Sequence, residues 1–146
     1  MIDIHNHILI GLDDGSQSKE ETLALLKQAK DEGVTDIIAT PHHLSPQFDN
    51  YYEDIVPKMD EVLSIDEFKD IGINIYPGQE VRISDQILPQ LENNQIIGLN
   101  HSKYVLIELP SGTCLIILDV YSLNYNRKAM CQSLRILNEI KKLVPI

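Results

Sequence analysis

The first fifteen residues constrain this chain more than any other stretch: an apolar run carrying His5 and His7, then Asp13-Asp14-Gly15. Ile2, Ile4 and Ile8 are β-branched, and the run they sit in predicts a buried strand. Side chains two apart on a strand share a face, so His5 and His7 point the same way. Paired carboxylates in a Gly-flanked turn follow at once. Two imidazoles on one face beside two carboxylates compose the first half of a metal site.

A chain of 146 residues suits one domain with its own core. Its formal net charge of −10 argues against nucleic acid or an anionic membrane as the main partner. An anionic substrate would then need local positive charge, which bound cations supply. Cys114 and Cys131 are the only cysteines, too few for a disulfide framework. No basic segment precedes an apolar signal core, and no apolar run approaches membrane-spanning length, so the cytoplasm is the expected compartment.

Ser16 or Ser18 is positioned to cap a helix through about Glu32, with Glu20 and Glu21 in its first turn and Gly33 as its stop. Leu23, Ala24, Leu25, Leu26 and Ala29 give that helix a broad apolar side. Val34 to Thr40 reads as a second strand ending in Pro41-His42-His43, followed by a polar, aromatic loop from Leu44 to Tyr52. A long helix is expected from about Asp54 to Lys69 and a third strand from Ile71 to Tyr76. A short helix capped by Ser84 or Asp85 through about Asn93 comes next, then a fourth strand from Tyr104 to Leu109. Strands alternating with helices imply right-handed βαβ units and a parallel sheet, an α/β fold.

Each chemistry-bearing residue falls at or just after the carboxyl end of a strand, where parallel α/β architectures place their sites. The set is His5, His7, Asp14, His42 with His43, Glu80 and Glu108. Imidazole nitrogen and carboxylate oxygen together suit Mn²⁺, Fe or Zn²⁺ better than Ca²⁺ or Mg²⁺. A carboxylate such as Glu80 is able to bridge two ions, and such pairs bind phosphoryl oxygens and activate water.

The opening HxH with DDG, then ATPHH, GQE with an arginine two residues on, and LIELP resemble the PHP (polymerase and histidinol phosphatase) superfamily. Within it they resemble the manganese-dependent tyrosine phosphatases of bacterial capsule and exopolysaccharide operons, the CpsB/CapC type. The resemblance covers residues 1 to about 110 and implies the N-terminal part of a distorted (β/α) PHP barrel with up to three Mn²⁺ ions at its carboxyl face. It implies that His5 and His7 hold the first ion, with Glu80 bridging to the second. Glu108 would hold the second, and Asp14 with His42 the third. Arg82 resembles a family arginine near the phosphate, the catalytic assignment; its alternative is a surface ion pair. The implied substrate is phosphotyrosine on the bacterial tyrosine kinase that controls capsule synthesis. Another PHP phosphoesterase, such as a histidinol-phosphate phosphatase, and a non-catalytic kinase-binding remnant are the alternatives. His43 is expected to support His42, His101 to be solvated, and Asp13 to shape its turn.

A cysteine-based phosphatase needs an arginine six residues after the thiolate. Val120 and Leu137 stand there, so neither cysteine qualifies and metal-activated water is the expected nucleophile.

The resemblance stops near Pro110, leaving residues 111–146 as a divergent tail. Family members continue into a His-Pro-Glu-Arg motif and a later Asp-x-His, neither of which occurs here after Pro110. Back-translated and read from the third base of each codon, Leu123 onward admits Glu-Leu-Gln-Ser-Lys-Gly-Tyr-Val-Pro-Ile-Ile-Ala-His-Pro-Glu-Arg. This points to a frameshift between about Leu109 and Leu123. The tail's own helix, about Arg127 to Leu143, would then lack a selected packing partner. Poor solubility or partial disorder is expected, above all after Pro110.

Overall fold

The computed structural model describes residues 1–109 and 115–120. The tail helix expected over about Arg127 to Leu143 lies outside the described residues.

Local signals set most of the elements. Strand β1 (Ile2–Asn6) leads to helix α1 (Lys19–Asp31). Of the two serines weighed as its cap, Ser18 takes the role: its hydroxyl accepts from the Glu21 N–H at 3.2 Å. Ser16 is instead buried, 2.7 Å from the Thr22 hydroxyl. At the other end Gly33 adopts φ +84°, its N–H donates to Lys30 O, and Val34 N–H donates to Ala29 O. These are the paired bonds of a Schellman stop, which needs a left-handed residue at that position. Leu26 is buried, but Leu25 is 42% exposed, so the apolar side is narrower than its composition implied.

Strand β2 (Asp36–Ala39) is buried throughout and lies between β1 and β4 (Asn74–Pro77), parallel to both. The helix expected without interruption from Asp54 to Lys69 is two: α2 (Tyr52–Ser64) and α3 (Asp66–Lys69). Between them Ile65 is extended, at φ −77° and ψ 118°. Its partly buried side chain packs against the main apolar cluster, so tertiary packing overrides helix continuity there. Helix α4 (Ile87–Glu92) has Gln86 as its N-cap residue, while the expected cap Ser84 accepts the Gln86 N–H.

The expectation of four parallel strands needs correction. Seven strands are present among the described residues, in two sheets ordered β1-β2-β4 and β3-β5-β6-β7. The extra parallel strands are the short continuations β3 (His42–His43) and β5 (Glu80–Arg82), which pair with each other, and β5 pairs with β6 (Tyr104–Glu108). At Pro41 and at Gly78-Gln79 the chain passes from the first sheet to the second. Gly78 is required at its crossing, because a Cβ there would sit 2.8 Å from Ile38 Cγ2 and 3.0 Å from Leu99 Cδ2. Strand β7 (Leu115–Asp119) runs antiparallel to β6 and was not foreseen.

One apolar cluster, including Ile8, Leu9, Leu26, Ile37, Ile55 and Val62, packs α1 and α2 on the first sheet. A second, with Val81, Ile87, Ile96, Val105 and Ile107, covers the other sheet. Ile38, Leu99 and Leu106 join the two. The architecture is α/β, with parallel strands carrying their carboxyl ends toward one rim.

Candidate metal centre

The strand register explains why distant residues meet. His42 pairs with Glu80 across β3 and β5, and Arg82 pairs with Glu108 across β5 and β6. Neighbours in register share a face, as do Glu80 and Arg82 two apart on one strand. Strand β1 delivers His5, and His7 follows just beyond it. The turn before α1 delivers Asp14.

All six residues expected to ligate metal come together. Glu80 Oε2 lies 3.0 Å from His5 Nε2, 3.1 Å from His7 Nε2 and 3.2 Å from His42 Nδ1. His5 Nε2 and His7 Nε2 are themselves 2.9 Å apart, and His42 Nε2 is 3.4 Å from Asp14 Oδ1. Three overlapping groups result: His5, His7 and Glu80; His7, Asp14 and His42; His42, Glu80 and Glu108. Within each, one ligand atom per residue lies within 4.8 Å of the others. They line a cavity of about 450 Å³.

Two observations test whether a cation fits. Glu108 Oε2 is buried without a hydrogen-bond partner, and His42 Nδ1 is buried with only the 3.2 Å approach of Glu80 Oε2, a costly state for polar atoms unless something else satisfies them. The donors are also nitrogen and carboxylate oxygen, which suits divalent transition metals. The residues therefore fit a metal ion.

Asp13 does more than shape its turn. Its Oδ1 accepts from Gly15 N–H at 2.9 Å, as expected, but Oδ2 lies 2.7 Å from His7 Nδ1 and accepts the His42 N–H at 2.9 Å. One buried carboxylate thus orients the His7 ring and ties the first turn to β3. Burial pushes the His7 pKa down, but hydrogen bonds and charge from Asp13 and Glu80 outweigh it and raise it to about 9. Burial likewise opposes ionisation of Glu80, yet bonds from His5 and His7 and the charge of His42 lower its pKa to about 2. Asp13 is held below the usual carboxylate range: bonds from His7, Gly15 and His42 outweigh its burial.

Arg82 Nη1 bonds Glu108 Oε1 at 3.1 Å and lines a second cavity, of about 270 Å³, with Asp14, His42, Phe48 and Glu108. The ion pair Arg82 makes is therefore with a buried carboxylate at the edge of the cluster, not one on the open surface. His43 points to the other side of β3: its Nε2 is 2.6 Å from Gln90 Oε1, its Nδ1 is 3.0 Å from Asp49 Oδ1, and its ring meets Tyr51 edge-on. The expected support of His42 by His43 is not seen, because adjacent residues on a strand face opposite ways. His101 is exposed, as expected, and lies 3.2 Å from the Tyr52 hydroxyl.

Sequence reasoning passed over Asn50 and Gln79. The Asn50 amide donates to Leu12 O and His42 O, and the fully buried Gln79 donates to Asn50 O and accepts from Ile97 N–H. Gln79 sits inside the GQE motif, and that position was its one available signal.

A sequence model of the family described as "Capsular polysaccharide synthesis, CpsB/CapC" matches residues 1–118. The chain belongs to the CpsB/CapC family. It is 51% identical over 112 residues to CapC of Staphylococcus aureus, a match covering 77% of this chain and 44% of that protein. The tyrosine-protein phosphatase YwqE of Bacillus subtilis is 36% identical over 110 residues, covering 75% of this chain and 43% of YwqE. The fold is similar to one chain from the crystal structures of YwqE of Bacillus subtilis and CpsB of Streptococcus pneumoniae, which are described as metal-dependent tyrosine phosphatases. There the TM-score is 0.70 at 36% identity, over 75% of this chain and 44% of the solved one. The chain thus spans a little under half the length of the relatives it matches.

Proposed function

We propose that this chain carries the N-terminal half of the metal site of a protein-tyrosine phosphatase that takes Mn²⁺. The observation that carries the reading is the convergence of His5, His7 and His42 on the single Glu80 oxygen, with Glu108 and Asp14 beside it. Cations bound there would supply positive charge for the phosphoryl oxygens and lower the pKa of water. The chain's own residues have separate work. Asp13 holds the proton of His7 at Nδ1, leaving Nε2 to face the cluster. Glu80, ionised down to about pH 2, presents a carboxylate at every ordinary pH. Arg82 stands at the edge of the site with a guanidinium able to bond a phosphate oxygen.

The donor count supports two ions more readily than three. His7 Nδ1 is engaged by Asp13, so His7 offers one nitrogen to two groups, whereas His42 turns Nδ1 to Glu80 and Nε2 to Asp14. Donors for a third ion are incomplete among the described residues.

A second reading is a non-catalytic protein that retains metal or kinase binding. The phosphotyrosine-bearing capsule kinase is the proposed partner under either reading, and the cytoplasm the proposed location. Among the described residues no helix is long and apolar enough to cross a membrane. The division into residues 1–110 and a frameshifted tail remains our proposal, and the family match to residue 118 favours a break near the end of the proposed interval. The nucleotide sequence of the locus decides it: a second frame encoding His-Pro-Glu-Arg and a later Asp-x-His is expected, and its absence refutes the frameshift.

Equilibrium dialysis against Mn²⁺ followed by metal analysis tests the site. The chain should retain Mn²⁺ and Glu80→Ala should lose it; a wild-type chain that retains none refutes the proposal. Little or no hydrolysis of p-nitrophenyl phosphate is expected from this chain. Robust turnover abolished by His42→Ala would show instead that the half-site suffices.

A further inference from the structure

Resting on the phosphatase reading above, we propose that Phe48 selects aryl over alkyl phosphomonoesters, its ring forming the wall against which the substrate's aromatic ring lies. The chain has two phenylalanines. Phe68 is buried in the main core, whereas Phe48 is half-buried and belongs to none of the three apolar clusters among the described residues. Folding the core therefore does not account for it.

The loop that carries Phe48 is built to hold it in place. It leaves β3 through Leu44 at φ +57°, a left-handed conformation that costs energy for a residue with a side chain. Ser45 N–H donates to Phe48 O at 3.0 Å, and Phe48 N–H donates to Ser45 Oγ at 2.9 Å. Leu44 N–H donates to Asp49 Oδ1, while Asn50 anchors the far end to His42 O and Leu12 O. These polar ties set the Phe48 ring nearly parallel to the His42 ring, 10° between planes and 6.1 Å between centroids.

The second cavity lies beside this ring. Its volume of about 270 Å³ is just below the range of roughly 300–1,000 Å³ usual for ligand pockets, so it suits one ring rather than a large ligand. It shares Asp14, His42 and Glu108 with the larger cavity and adds Ser45, Gln47 and Arg82, with Pro46 and Phe48 as the apolar wall of an otherwise polar lining. A phosphoryl group at the shared residues would leave its ester substituent beside Phe48. A flat aryl substituent gains an offset ring contact there, and a short alkyl one does not.

Calorimetric titration of the Mn²⁺-loaded chain with phenyl phosphate and with methyl phosphate tests this. The wild type should bind phenyl phosphate more tightly. Phe48→Leu should lose about three- to tenfold in phenyl phosphate affinity, the scale of one aromatic pair, with methyl phosphate and Mn²⁺ binding unchanged. Phe48→Tyr should keep the preference, which guards against a leucine variant that merely loosens the loop. Equal losses for both phosphates, or a loss of Mn²⁺ affinity in step with them, would mean that Phe48 only braces His42 and would overturn the proposal. Equal wild-type affinity for the two phosphates overturns the role of Phe48 alone. A chain that takes up Mn²⁺ and binds neither phosphate overturns this role together with the phosphatase reading.

Discussion

At 2.7 Å from His7 Nδ1, the Asp13 carboxylate receives the one proton that a neutral imidazole has to give. Nε2 then keeps its lone pair for a metal. Without metal the ring carries both protons, since the pKa of His7 is raised to about 9. Its folded value lies above the ordinary 6.5, so the stability it contributes is fully present below pH 6.5 and lost as pH rises through about 9. Glu80 runs the other way: its contribution is present above pH 4.5 and lost as pH falls through about 2. Metal loading at neutral pH must therefore expel a proton from His7 and none from Glu80. Calorimetry of Mn²⁺ binding at pH 7 in buffers of different ionisation enthalpy should show that release, and it should shrink as pH approaches 9. Asp13→Asn should diminish the release and weaken Mn²⁺ binding about 10- to 100-fold, the usual effect of removing such an orienting partner. A buffer-independent enthalpy in the wild type would contradict the assignment.

At the scale of elements, helix α1 shows how a stop is encoded. Gly33 adopts φ +84° with nothing within 4 Å of where a Cβ would lie, so replacing it strains only the backbone. Gly33→Ala should destabilise the fold by about 1–2 kcal/mol, read from urea denaturation, without altering Mn²⁺ affinity in the folded chain. The stop was legible in the sequence, as were the serine cap and the apolar strands, because each rests on contacts a few residues apart. The break at Ile65 was not, since it depends on where α3 must pack. Nor were β3 and β5. Two or three residues carry no periodicity, and His42–His43 becomes a strand only through pairing with Glu80 and Val81. The ligand residues could be named from motifs, but their separations follow from that register. Asn50 and Gln79 stayed hidden because an amide's task as a loop anchor appears only in three dimensions.

At the largest scale, the described residues form two small sheets joined by the chain crossings at Pro41 and Gly78-Gln79, by apolar contacts around Ile38, Leu99 and Leu106, and by the cluster of imidazoles and carboxylates. His5 and His7 hang from the first sheet, while His42, Glu80 and Glu108 stand on the second. A cation held by His5, His7 and Glu80, as proposed, would link the sheets, and unfolding would release it. By mass action, ligand at 100 times its Kd adds about 2.7 kcal/mol to a folded state that alone binds it. For a domain of this size that corresponds to a rise in Tm on the order of 10 °C. A thermal melt followed by tyrosine fluorescence should show this rise with saturating Mn²⁺, reversal by a chelator, and no rise for Glu80→Ala. Phe48→Leu should keep the full rise, since its ring is assigned to the substrate rather than to the metal. If Mn²⁺ raises the Tm of Glu80→Ala as much as that of the wild type, the ion is bound elsewhere, and the convergence at the rim does not hold the sheets together.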